Sequence, residues 1–205
     1  MTHHSRLKSW TRRAACTGIA LAALAACSGQ TTPPDSYYRL SQSDVPSRAG
    51  GMLPGTVDVT PFRADGMLND RQIMHRDGAI RIAGYNYHYW WKAPGVVLQD
   101  SLVDALRRAN AFQIVTTPEL RLDRAYEVVG RIRRFEQDGA QVVVEVELLL
   151  RATRSGAPLL LKTYRHEVPA GDGNIPAAVD AFGVAVGQVW TDFIDDLASV
   201  KPPPV

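Results

Sequence analysis

Three long segments of alternating apolar and polar residues, separated by glycine turns, constrain this chain more than any other feature. They are Tyr126 to Arg134, Gln141 to Arg151 and Leu159 to Glu167, with Asp138-Gly139 and Ser155-Gly156 between them. A period of two puts alternate residues on opposite faces, and turn residues at these positions make the three segments an antiparallel meander. The charges predict the register of the first hairpin. With Gly139 at the centre of a three-residue loop, Arg133 faces Glu145, Arg131 faces Glu147 and Glu127 faces Arg151. The other face then pairs Ile132 with Val146 and Val128 with Leu150. A slip of one residue would set Arg131 and Arg133 against valines. Cross-strand ion pairs contribute only about 0.2–1 kcal/mol each, so they inform register more than stability.

The remaining elements complete a fold class. Ser36 to Leu40, Thr56 to Phe62, Arg71 to His75, Ala79 to Ala83 and Phe112 to Val115 read as shorter strands, with Asp77-Gly78 as a hairpin turn. Val97 to Ala109 carries Leu98, Leu102, Ala105, Leu106 and Ala109 on one helical stripe, behind a Pro94-Gly95 breaker. A second helix runs from Pro176, a first-turn proline, to about Ser199. Its apolar stripe is Val179, Phe182, Val186, Val189, Trp190, Phe193, Ile194 and Leu197. Burying both stripes on one sheet predicts an α/β two-layer sandwich: a mostly antiparallel twisted sheet with two long helices packed on one face.

The N-terminus points to export. Arg6, Lys8, Arg12 and Arg13 precede Ala14 to Ala26, which is almost wholly small or apolar. That run is shorter than the about 20 residues of a spanning helix, and a basic start before a short apolar run is a removable signal. The ending Leu24-Ala25-Ala26-Cys27 resembles the lipobox of bacterial lipoproteins. The expected organisation is a signal over 1–26, a lipidated N-terminus and tether over 27–35, one domain over 36–200 and a proline-rich tail over 201–205. Cys27 would carry diacylglycerol and an N-acyl chain, and no other cofactor is expected. Two acyl chains anchor stably, at roughly 0.8 kcal/mol per buried methylene. The other cysteine, Cys16, leaves with the signal, which excludes disulfides and cysteine chemistry from the mature chain.

Removing the four signal cations from 23 basic residues leaves 19 against 21 acidic, so a formal +2 becomes −2. Nothing in that balance favours nucleic acid. A remainder of 179 of the 205 residues suits one domain with a sizeable core. Ser28 after the cysteine, in place of a retention aspartate, points to the periplasmic face of the outer membrane.

Among candidate sites, the segment 85–91 stands out. Read as a strand, it sets Tyr85, Tyr87, Tyr89 and Trp91 on one face, and Asn86, His88 and Trp90 on the other. Packing beneath the helices accounts for one face; exposed tyrosine and tryptophan suit a partner or a membrane boundary. His75, His88 and His166 sit in different elements without metal-ligand spacing, so no metal is expected. Asp195-Asp196 point apart on a helix and read as a solvated face. Gly171-Asp172-Gly173 is a turn without nucleotide-loop spacing, and no serine sits in a nucleophile elbow. No catalytic constellation is present, and the chain reads as a non-enzyme.

In order and spacing the chain resembles the ABC-type transport auxiliary lipoprotein family, whose members are similar to the paraquat-inducible protein C. The matching features are the lipobox at Cys27, Tyr37-Tyr38-Arg39-Leu40, Val57 to Pro61, Leu68 to Arg76, and Trp90-Trp91-Lys92-Ala93-Pro94 before the first helix. The resemblance covers about 36–198. It departs from the family pattern near Trp90, where the arginine before tryptophan is absent and Lys92-Ala93 replaces an acidic residue before proline. The resemblance implies an accessory subunit of an envelope lipid transport system. Its partners would be a periplasmic MCE-domain protein with an inner-membrane transporter, with membrane attachment through the lipid anchor and self-association left open. Arg71 and Gln72, with Tyr85, Tyr87, Tyr89, Trp90 and Trp91, are the expected partner contacts. A structural lipoprotein of another envelope machine and a lipid-binding carrier are the alternatives.

Overall fold

The computed structural model describes residues 32–41, 53–78, 80–171 and 173–202. The expected export signal, Cys27 and residues 28–31 of the expected tether lie outside them. The chain divides into Met1–Pro34 and Asp35–Val205, and the fold is that of the second unit.

Eight strands form one mixed sheet. They are β1 (Ser36–Tyr38), β2 (Leu53–Val59), β3 (Gln72–Asp77), β4 (Arg81–Trp90), β5 (Phe112–Thr116), β6 (Tyr126–Asp138), β7 (Gln141–Ala152) and β8 (Pro158–Pro169). Helix α1 spans Pro94–Arg108 and α2 spans Ile175–Leu197. The meander β6–β7–β8 is present, and its antiparallel ladders are the longest in the sheet. The parallel pairings β1–β4, β2–β5, β2–β6 and β3–β6 are short.

Strand β6 organises the sheet. One edge pairs along its whole length with β7, while the other is shared: Tyr126 to Val128 pair with β2, and Glu136 to Asp138 with β3. The chain leaving β2 bridges the gap. Thr60 and Arg63 donate backbone N–H groups to Val128 and Gly130, and Ile132 donates back to Arg63. Phe62 turns inward between these bonds. Its ring lies over Gly130, where a Cβ would come within 2.5 Å of it. Its backbone N–H donates to the Gly95 carbonyl at 3.0 Å, and a Cβ on Gly95 would collide with the Phe62 carbonyl oxygen. Glycine at 130 and at 95 is thus required by close approach.

The predicted register holds at the open end of the first hairpin. Glu127 faces Arg151, Arg131 faces Glu147, Ile132 faces Val146 and Val128 faces Leu150. It fails nearer the turn. Asp138 pairs with Gln141, so Gly139 (φ 60) and Ala140 form a two-residue loop, not a three-residue one. The spare residue becomes a bulge at Arg133, Arg134 takes the place opposite Glu145, and Arg133 bonds Glu147 at 2.7 Å. A bulge adds one residue to one strand and preserves pairing on both sides. Pro94-Gly95 also differ from expectation, lying inside the first turn of α1. A proline there forfeits only an amide that a helix start leaves unpaired.

Every residue of both predicted helical stripes is buried. Asn174 caps α2 by accepting the Ala177 amide at 2.8 Å. The Trp190 indole donates to Ser101 Oγ at 2.9 Å and meets Phe62 edge-on, tying α2 to α1 and to the β2–β6 gap.

Candidate functional site

The aromatic segment does not keep a single alternation. Gln72 pairs with Tyr89 and Met74 with Gly84, so β4 carries extra residues between those points, with Tyr87 at φ 64 among them. This bulge reverses which side chains face the helices. Tyr85 stacks on His75, donates to Gln137 at 3.0 Å and packs on the core margin. Tyr89 stacks on Tyr37. The expectation that Tyr85, Tyr87, Tyr89 and Trp91 share one face is therefore corrected, because an extended strand loses its period at a left-handed residue. Trp90 is also corrected as a partner contact: it is 0% exposed, against Phe135 and Phe182.

What remains at the surface is a compact patch where β1 meets the end of β4. Strand β1 runs parallel to β4 at the margin of the sheet, pairing Tyr37 with Tyr89 and Tyr38 with Trp90. Tyr38 turns inward, sharing a 2.9 Å hydrogen bond with His88. Tyr37 turns outward and is 57% exposed. Arg71 is held by donating Nε to the Trp90 carbonyl and Nη2 to the Trp91 carbonyl, both at 3.1 Å. Its guanidinium lies 5.2 Å over the Tyr37 ring. The Trp91 indole carries Arg39 at 4.1 Å and Lys92 at 4.3 Å, and Lys92 reaches Asp100 at 2.7 Å. Gln72 sits beneath, against Gly84. Beside the patch, a groove of about 510 Å³ runs between Arg39 to Ser41, Trp91 and the α1 residues Val97, Asp104, Arg107 and Arg108.

The structure therefore brings Arg71, Gln72, Tyr89 and Trp91 together and separates Tyr85 and Trp90 from them. Tyr37 and Arg39 complete the patch, although sequence reasoning used them only as a family motif. Their alternation with Tyr38 and Leu40 is the signal that sets them on one side.

The sheet face away from the helices has a different character, because its cations are already neutralised. Arg134 bonds Glu136 and Asp138, each at 2.6 Å, and Arg76 bonds Glu136 at 2.9 Å. Arg165 reaches Glu145 at 2.8 Å, Arg151 donates to Glu127 at 2.6 Å, and Arg131 pairs with Asp65. Asp58 is buried, with Arg124 at 3.0 Å. Burial pushes its carboxyl above the usual range, and Arg124 pulls it only part of the way back.

The other candidates are scattered. His75 stacks on Tyr85, His88 bonds Tyr38, and His166 bonds Asp192 at 2.8 Å. Asp196 accepts from Lys162 and Tyr164, each at 2.7 Å. Among the described residues, no group of three or more histidines, cysteines or acids could hold a metal, and no helix is long and apolar enough to cross a membrane.

A family model described as ABC-type transport auxiliary lipoprotein component matches residues 38–193. Two crystal structures share the fold. Protein XCC0632 from Xanthomonas campestris superposes with a TM-score of 0.70 at 20% identity, over 78% of this chain and 92% of that one. An uncharacterized protein superposes with a TM-score of 0.62 at 15% identity, over 82% of this chain and 98% of that one. No curated protein sequence matches the chain.

Proposed function

The chain belongs to the ABC-type transport auxiliary lipoprotein family, and from that premise we propose that it is a lipid-anchored docking subunit of an envelope lipid transporter, working at the periplasmic face of the outer membrane. Acyl chains on Cys27 hold the domain at the bilayer, and residues 28–35 set its reach. The domain makes contact rather than catalysing a reaction: it docks on the transporter's MCE-domain protein, which connects to an ABC-type permease in the inner membrane.

The observation that carries this reading is the patch of Tyr37, Tyr89, Trp91, Arg39 and Arg71. Exposed tyrosine, tryptophan and arginine are the side chains that dominate binding energy at protein interfaces. Here they are pre-ordered by stacking and by the bonds of Arg71 to backbone carbonyls. Strand β1, which presents Tyr37, follows directly in sequence on the tether. Tyr85 and Trp90 lie apart from this surface, Trp90 contributing to it only the backbone carbonyl that holds Arg71.

The test is co-purification from the native host. Full-length protein with an affinity tag is extracted in mild detergent, and its companions are identified, with Cys27→Ala as the control for anchoring. The reading expects an MCE-domain protein or its permease in the eluate. Recovery of outer-membrane assembly factors alone would replace it with a structural lipoprotein of another machine. Bound lipid without any protein companion would replace it with a carrier.

A further inference from the structure

Many arginines of the described sheet are neutralised by carboxylates, while Arg107 on α1 donates to the Val115 carbonyl. Those on the open sheet face each hold a carboxylate, as Arg131 holds Asp65 and Arg165 holds Glu145. Arg39 and Arg71 do not. Among the described residues, Arg39 rests on the Trp91 ring, and Arg71 lies over the Tyr37 ring while bonding the carbonyls of Trp90 and Trp91. Of the nearby acids, Asp100 takes Lys92, Asp35 accepts the Tyr37 hydroxyl, and Asp104 lines the adjoining groove. Two guanidiniums thus converge on Trp91, one at its ring and one at its backbone, each ordered and neither neutralised. A guanidinium so placed has already given up side-chain freedom and can take an incoming carboxylate through paired hydrogen bonds. Strand β1, which presents Tyr37 beside them, pairs only with β4 among the described strands.

We infer that this patch receives an acidic, extended segment of the transporter's periplasmic partner, with carboxylates seated on Arg39 and Arg71 and the segment's backbone running along β1. An extended peptide alternates its side chains, so acidic residues two apart reach both arginines on one side while the backbone follows the sheet margin. The inference rests on the docking role proposed above and adds the chemistry of what docks. Charge complementarity selects a carboxylate-bearing segment over an apolar helix, because the patch pairs the cations Arg39 and Arg71 with aromatic faces; the adjoining groove carries both signs, Arg107 and Arg108 with Asp100 and Asp104.

The test uses full-length protein in mild detergent and a short fluorescein-labelled peptide alternating glutamate and threonine, read by anisotropy. A peptide alternating lysine and threonine, and vesicles of phosphatidylglycerol, are the comparison probes. The expected result is saturable, salt-sensitive binding of the glutamate peptide only. Arg39→Glu should weaken it about tenfold or more, the loss expected when a charge-assisted bond is removed. That side chain rests on a ring at the surface, so its replacement leaves the fold intact. Arg131→Ala, whose native side chain is already paired, should leave binding unchanged. Equal binding of both peptides, or unaltered binding by Arg39→Glu, overturns the inference. Vesicle binding that the glutamate peptide does not compete with, and that Arg39→Glu abolishes, also overturns it and assigns the patch to an anionic lipid surface. If the peptide fails while the transporter still co-purifies, the inference falls alone. If the peptide binds but no transporter co-purifies, the docking partner is what has been misassigned.

Discussion

Adjacent tryptophans offer a sharp test, because the fold gives Trp90 and Trp91 opposite duties. Trp90 is 0% exposed, with ring centroids 5.1 Å from Phe135 and 5.3 Å from Phe182. Truncating such a side chain removes its transfer energy and leaves a cavity, at a cost of about 3–5 kcal/mol. Trp91 is partly exposed: its ring carries two cations at the surface, and its inner edge packs on the core margin. Each such contact contributes about 0.5–1 kcal/mol at an exposed site, so Trp91→Ala should cost about 1–2 kcal/mol. Urea unfolding followed by circular dichroism separates the two. With a slope near 2 kcal/mol per molar, Trp90→Ala should lower the midpoint by about 2 M and Trp91→Ala by less than about 1 M. Partner binding should reverse the order, with Trp91→Ala folded but defective. Equal losses of stability, or a larger loss for Trp91→Ala, would refute the assignment of Trp90 to the core and Trp91 to the surface.

Three further outcomes follow from the packing and charges. Gly130→Ala drives a methyl group into the Phe62 ring and should cost about 1–3 kcal/mol, part of it recovered when Phe62→Leu is added; additive losses in a double-mutant cycle would contradict the close approach. Arg124→Ala strands the buried Asp58 and should cost about 3 kcal/mol, whereas Asp58→Asn leaves a half-exposed arginine still near Glu127 and should cost under about 1 kcal/mol; equal costs in urea melts would count against a buried carboxylate. Burial raises the Asp196 carboxyl, and hydrogen bonds from Lys162 and Tyr164 more than reverse that, so its folded value lies below the usual range. Stability from that site is therefore present above about pH 4, near the unfolded value, and is lost as pH falls through the lower folded one. Asp196→Asn should flatten that limb of an acid titration, and an unchanged limb would contradict the assignment.

How much was legible depended on how local each determinant is. The meander and both helices follow from periodicity, and Glu127 opposite Arg151 follows from charge, because neighbours in sequence dictate them. The register near Gly139 was not legible, since a two-residue loop with a bulge at Arg133 and a three-residue loop without one satisfy the same far pairs. The short parallel pairings, such as Ser36 to Tyr38 beside His88 to Trp90, have no connecting turn to announce them. In the candidate site, the structure gathers Arg71, Gln72, Tyr89 and Trp91 and sets Tyr85 and Trp90 apart from them. The cause is Tyr87, a non-glycine residue at positive φ that inverts the alternation without a sequence mark. Tyr37 and Arg39 join the site only through long-range pairing of β1.

The central claim is that the domain docks through the β1–β4 patch rather than through its ion-paired sheet face. A photo-reactive residue placed at Trp91 in living cells, and separately at Leu161, which is 63% exposed on β8, tests it directly. The account predicts a crosslink to the MCE-domain protein or its permease from position 91 and none from position 161. A crosslink from 161 alone would contradict it.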